Sequence, residues 1–92
     1  MRTKFGYRTL EATDLVRCWP GASHNDVANR VGRWRQTGQD AVHRALWYGL
    51  IENRGTDRRF ELHVTDKGLV ALDNAWPLFA ADAATWRPAE HP

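Results

Sequence analysis

Much of what builds cross-links, metal centres or catalytic machinery is scarce in this chain. Cys18 is its single cysteine, so no disulfide can close within the 92 residues. That fits a reducing compartment. His24, His43, His63 and His91 are scattered, and none pairs with Cys18 at a spacing typical of zinc sites. No glycine-rich loop follows a predicted strand in the manner of a phosphate cradle. Glu11 and Asp14 stand about one helical turn apart, as surface carboxylates on helices often do. No enzyme, cofactor or metal is expected. No apolar run approaches the ~20 residues of a membrane span. The amino-terminal MRTKFGYRTL is basic but lacks the hydrophobic stretch of a secretion signal. The chain is therefore expected in the cytoplasm, away from membranes.

What is present is arginine, unevenly placed. The formal net charge is only +2. Residues 1–59 hold eleven basic and six acidic side chains, a net +5, while residues 60–92 hold two and five, a net −3. A cationic half beside an acidic one has the character of a polyanion-binding surface, and an ordinary solvated arginine-rich face has the same composition. With 42% hydrophobic and 26% charged residues the chain is expected to fold, and its length suits one domain with short ends.

Periodicity and punctuation divide that domain. A first helix is predicted from about Leu10 to Trp19, with Leu10, Leu15, Val16 and Trp19 as its apolar stripe and Thr9 or Thr13 as its cap. Pro20-Gly21 breaks it. Ser23 and Asp26 imitate a capping box ahead of a second helix, whose inner face is Val27, Ala28 and Val31 and whose exit is Gly32. A third helix covers roughly Arg35 to Tyr48. Ala41, Val42, Ala45 and Leu46 face inward, Gly38 is a weak spot, and Gly49 ends it. Leu50–Arg54 and Arg59–Val64 read as strands around the turn Gly55-Thr56-Asp57-Arg58. Thr65 caps a last helix with Leu69, Val70 and Leu72 inward, stopped by Pro77 after Trp76.

Helix, helix, turn, helix, hairpin, helix is the layout of a winged helix-turn-helix. The expected fold is α+β and mostly α: three helices, a two-stranded β-hairpin wing and a carboxy-terminal helix. Residues 1–9 are read as a basic arm with Arg2, Lys4 and Arg8, residues 10–76 as the winged unit, and residues 77–92 as a tail. The tail adds a short helix over Ala80–Trp86, a dimer contact, or neither.

Two blocks, Ala28-Asn29-Arg30-Val31-Gly32 and Gly49-Leu50-Ile51-Glu52, resemble the turn and post-recognition-helix motifs of bacterial winged-helix regulators. Asp57-Arg58-Arg59 and Thr65-Asp66-Lys67-Gly68 are similar to the wing and post-wing motif of MarR-like regulators. The resemblance spans about residues 10–76. It implies a DNA-binding winged helix in which Arg59 is the wing arginine. The segment from Asp57 to Thr65 is one residue shorter than the MarR pattern, and Val64 stands where leucine is usual. The long flanking helices with which full MarR-like proteins dimerise and sense ligands are lacking, so the reading is the winged-helix superfamily and not MarR membership, with effector and dimerisation left open.

The expected partner is double-stranded DNA, bound as a small transcriptional regulator binds it. The size suits one encoded by a phage or mobile element, associated with the nucleoid. The third helix would offer Arg35, Gln36, Gln39, Asp40, His43 and Arg44 to the major groove. There arginine matches guanine and glutamine matches adenine, while Asp40 accepts from cytosine or holds Arg44. Arg33 in the turn would contact the backbone, and Arg54, Arg58 and Arg59 would grip beside the wing. The bland alternatives are a solvated helix face and a charged hairpin tip that guards a strand edge. Trp34 is expected to pack between helices, or else to reach a phosphate with its indole N–H. Trp47, Trp76 and Trp86 are expected to cover the core; any left outside would suit a protein partner, the alternative function. A homodimer is favoured slightly, through Leu69–Trp76 with Leu78, Phe79 and Trp86.

Overall fold

Gly32 and Gly49 have φ of 71° and 75°, the left-handed conformation that a side chain would strain. Gly49 stands two residues past the third helix, whereas the second already ends at Ala28, so Gly32 lies in the turn after it and not at the helix exit expected of it. Together with Pro20-Gly21 they cut the first half of the chain into three helices: α1 (Tyr7–Cys18), α2 (His24–Ala28) and α3 (Arg35–Trp47). The hairpin strands β1 (Ile51–Asn53) and β2 (Leu62–Val64) follow, then α4 (Asp66–Ala81). This is a computed structural model that describes the backbone of residues 5–81 and the side chains of residues 5–75. The arm residues Arg2 and Lys4, His91, the tail from residue 82 and the side chains of Trp76, Leu78, Phe79 and Trp86 lie outside the described residues.

Helix α1 is the central post, packed against α2, α3, β2 and α4. Leu10, Ala12, Leu15 and Val16 are buried, as the apolar stripe requires, but so are Thr9, Thr13 and Asp14. Neither threonine caps the helix. Thr13 lies inside it and donates its hydroxyl to the Thr9 carbonyl at 2.8 Å, which satisfies a polar group in the core. The helix instead begins at Tyr7, after an extended Gly6 with no capping side chain, because Phe5 and Tyr7 pack on the core and carry it towards the amino terminus. Asp14 is bound by Arg17 at 2.7 Å, so it is no surface carboxylate.

Around that post the core closes with Val27, Ala28 and Val31, then Ala41, Val42 and Ala45, then Leu50, Ile51 and Leu62. The Ser23–Asp26 capping box is formed in both directions, at 3.0 and 3.2 Å. Gly38 is the point of closest approach: a Cβ there would stand 1.8 Å from the Ala28 carbonyl oxygen. The glycine that costs helix propensity in α3 thus lets α2 and α3 touch backbone to backbone.

The strands pair antiparallel, Ile51 with Val64, Glu52 with His63 and Asn53 with Leu62. Each is shorter than its alternation predicts: past Asn53 the two arms keep one further backbone bond, Arg54 N–H to the Glu61 carbonyl at 2.9 Å, and the Asn53 side chain supplies the rest. Its Oδ1 accepts from the Gly55 and Glu61 amides at 2.8 and 3.0 Å, and its Nδ2 donates to the Thr56 carbonyl at 3.2 Å. Beyond it Thr56 and Arg59 close the tip, with Thr56 donating to the Arg59 carbonyl at 3.0 Å. The other edge of β2 is paired as well: Gly21 donates to the Leu62 carbonyl and Leu62 to that of Ala22, so the α1–α2 connector acts as a third, one-rung strand. Asn53→Ala is expected to speed amide exchange at Gly55 and Glu61 by about fivefold each, since a net hydrogen bond is worth roughly 1 kcal/mol. Exchange at the core amides of α1 should stay unchanged; unaltered protection at Gly55 would remove Asn53 from this role.

Thr65 caps α4 by accepting from the Gly68 amide at 3.1 Å. The inward face of this helix departs from the prediction. Gly68, Ala71 and Ala75 are buried and Leu72 half-buried, while Leu69 and Val70 are exposed. Small residues at that spacing let α4 lie close on the Leu50 carbonyl, which larger side chains would prevent. Nor does Pro77 end the helix, which runs on to Ala81. A proline deletes one bond to the preceding turn, but its fixed φ is itself helical.

Candidate nucleic-acid interface

With Gly38, Ala41, Val42 and Ala45 turned to the core, helical geometry points Gln36, Asp40, His43 and Trp47 the opposite way. Gln36, Asp40, His43, Arg44 and Trp47 are exposed; Gln39 is half-buried at the edge of this face. Arg35 is exposed and tethered, donating to Asn25 Oδ1 at 3.2 Å. Asp40 does not hold Arg44. It accepts from Gln36 Nε2 at 3.1 Å, one turn back, which leaves Arg44 without a hydrogen bond or ion pair among the described residues. Arg44 instead borders a cleft of about 160 Å³ between α3 and the first turn of α1, lined also by Arg8, Thr9, Thr37 and Asp40.

The turn into α3 is fixed from α1. Glu11 Oε1 accepts from the Gly32 amide at 3.0 Å while the same carboxylate pairs with Arg8. A side chain expected to be routine surface therefore anchors the helix-turn-helix; a contact spanning 21 residues leaves no local sequence signal. After the turn, Arg33 lies with its guanidinium 5.5 Å from the centre of the Trp34 ring. Trp34 is not buried between helices: it is 66% exposed at the start of α3, because Val31 already fills the space beneath the turn. Trp47 does not cover the core either. It is 85% exposed, lying opposite the buried arc of α3. Its position one helical turn beyond His43 was the signal for including it in the face.

At the wing, Arg54 is occupied by Glu52 at 2.8 Å. The guanidinium groups of Arg58 and Arg59 are exposed and have no ion pair among the described residues. They flank the tip turn, beside Asp57.

One cluster ties these elements together. His24, first residue of α2, meets His43 of α3 edge-to-face at 5.0 Å and Phe60 of the wing at 5.7 Å. His24 Nε2 is enclosed without a hydrogen-bond partner. Burial, then the neighbouring His43 and Arg35, push its pKa below the ordinary 6.5. The unfolded chain therefore takes up this proton at higher pH than the folded one. The stabilisation is complete above the ordinary value and is lost as pH falls below it towards the lowered folded value. Thermal unfolding between about pH 8 and 5 should show Tm falling below pH 6.5. His24→Phe, which keeps the ring contacts, should flatten that fall; an unchanged pH slope would assign it to other groups. The thiol of Cys18 is half-buried, its pKa raised chiefly by burial. Among the described residues no three His, Cys, Asp or Glu side chains gather as a metal cluster, and no helix is long and apolar enough to cross a membrane.

The chain matches no protein-family model, and no curated protein matches it in sequence. Among solved structures it is similar to SSV1 F-93, known from a crystal structure, with a TM-score of 0.67 at 17% identity over 94% of this chain and 100% of that one. Helices α1 to α3 with the antiparallel hairpin and α4 form a winged helix, an α+β fold in which helix predominates.

Proposed function

We propose that this protein binds double-stranded DNA in a sequence-dependent way, as a small transcriptional regulator. Helix α3 enters the major groove and reads base edges with Gln36, His43 and Arg44, joined at its margins by Arg35 and Gln39. The wing lays Arg58 and Arg59 on the adjacent backbone or minor groove, and Arg33 contacts phosphate from the turn. The observation that carries this reading is that Arg44, Arg58 and Arg59 are exposed and, among the described residues, free of carboxylate partners on one helix face and its neighbouring hairpin tip. Arg8, Arg17 and Arg54, by contrast, are each paired with a carboxylate. The MarR-like wing motif, the cationic first half and the winged-helix fold all favour the same reading. A compact regulator carried by a phage or mobile element, working as a homodimer in the cytoplasm, fits the chain's size.

Mobility-shift titration against random duplex at low and moderate salt tests it. A DNA reader releases counterions and so weakens steeply between about 50 and 200 mM salt. The exposure of Trp34 and Trp47 favours a second reading, a winged helix that docks on another protein. That reading gains if no salt-sensitive binding to duplex is found.

A further inference from the structure

Trp47 is the most exposed large hydrophobic side chain among the described residues. It does not sit on a stray corner. Gln36, Asp40, His43 and Trp47 follow one another at spacings of four, three and four along α3, so they form one stripe. Anything that lies along Gln36 and His43 meets the indole at the end of the same line, about 16 Å from Gln36 at the rise of an α-helix. The rest of the stripe is polar, so the indole is the apolar contact that the stripe offers to a ligand lying along it.

In the major groove each base pair offers donors and acceptors, and the C5-methyl of thymine is the apolar group among them. We infer that Trp47 is a specificity-determining residue of the α3 face, selecting a thymine by packing its indole on that methyl group. This rests on the DNA-reading proposal and adds to it an apolar contact beside the polar ones. The neighbouring charges suit the occupant. Among the described residues Arg44 on the same helix and Arg58 and Arg59 on the wing are free of carboxylate partners and outnumber Asp40, whose carboxylate accepts from Gln36, which favours a polyanion over a protein surface of mixed charge.

Duplexes selected from a random library by the full chain and by Trp47→Ala test the inference. The wild-type protein is expected to enrich thymine at a position that Trp47→Ala leaves open. Deoxyuridine placed there lacks only the methyl group. It should weaken wild-type binding roughly fourfold, the worth of one buried methyl, and leave Trp47→Ala binding almost unchanged. Trp47→Phe should retain the thymine preference. Because the side chain is exposed, melting temperatures of the three proteins should agree, so a lost preference is not lost folding. Identical selected motifs for wild-type and Trp47→Ala would overturn the inference while leaving DNA reading intact. So would a shift in oligomeric state in Trp47→Ala with the motif unchanged, which would give the indole to a second copy. If neither protein retains any duplex at low salt, the DNA-reading proposal itself falls, and this inference with it.

Discussion

Gly38→Ala is expected to lower the stability of the folded chain by about 3 kcal/mol, although helix propensity alone predicts a gain of roughly 1 kcal/mol. The added Cβ would lie 1.8 Å from the Ala28 carbonyl oxygen and 2.6 Å from its carbon. Real Cβ atoms essentially never come within 3.0 Å of such a neighbour, so α2 and α3 must separate by at least about 1 Å. No side chain can rotate aside, as both partners are backbone. Separation would also loosen Val27 and Ala28 from Ala41 and Val42, all of them buried in the same core. For a domain of this size the loss corresponds to a fall in Tm of roughly 12–24 °C. Denaturant unfolding of Gly38→Ala beside Gln39→Ala, at the neighbouring half-buried position, checks it. A Gly38→Ala protein as stable as its parent would mean that the helices do not meet there. The same contact sets how α3 is held against α2, so the variant should also lose whatever binding the α3 face supports.

Gly38 shows where local reading of the sequence stops. Its sequence signature is that of a flaw in a helix, and only the approach of Ala28 makes it a requirement. Features decided within a few residues were legible: the Ser23–Asp26 box, the left-handed turns at Gly32 and Gly49 and the Thr65 cap each follow from local backbone chemistry, although α2 ends at Ala28, four residues before Gly32. So did the order of the elements, because the apolar period changes where α3 gives way to the hairpin. Features decided by distant neighbours were not. Glu11 reaching Gly32, the one-rung pairing of Ala22 with Leu62, and Asn53 replacing strand with side chain have no local periodicity. The tryptophans misled for another reason. Bulk and apolarity predict burial, yet Trp47 lies opposite the arc of α3 that Gly38, Ala41, Val42 and Ala45 turn to the core, and Trp34 stands outside at the start of that helix. In α4 likewise, small residues displaced Leu69 and Val70 from the inner face. Of the expected reading residues, Gln36, His43 and Arg44 are exposed on α3 as its periodicity required. Gln39 and Arg35 lie at the margins, half-buried in one case and tethered to Asn25 in the other.

Removing both wing-tip arginines, Arg58→Ala with Arg59→Ala, is expected to cut duplex affinity at low salt by more than tenfold for every sequence tried. Each phosphate neutralised contributes about 0.9 to the slope of log K against log salt, so the double variant should bind with a slope shallower by about 2. The fold should be unaffected. Both side chains are exposed, and the tip turn is held by the backbone between Thr56 and Arg59 and by the Asn53 amide, none of which the substitutions touch. Arg44→Ala should behave differently. Its guanidinium stands on the helix face rather than the hairpin, so its loss should relax base preference at one or two positions. It should cost about 1–3 kcal/mol on the preferred site and little on random duplex. The contrast is what distinguishes a groove-reading helix with a backbone-gripping wing from a diffuse cationic surface. On a diffuse surface every arginine is equivalent, each removal lowers the salt slope by the same amount, and none changes which sequence is preferred. Fluorescence-anisotropy titrations of the wild-type protein and the two variants against one selected and one random duplex, over several salt concentrations, separate the two cases. Equal losses on both duplexes for Arg44→Ala and for the wing variant would leave only non-specific attraction.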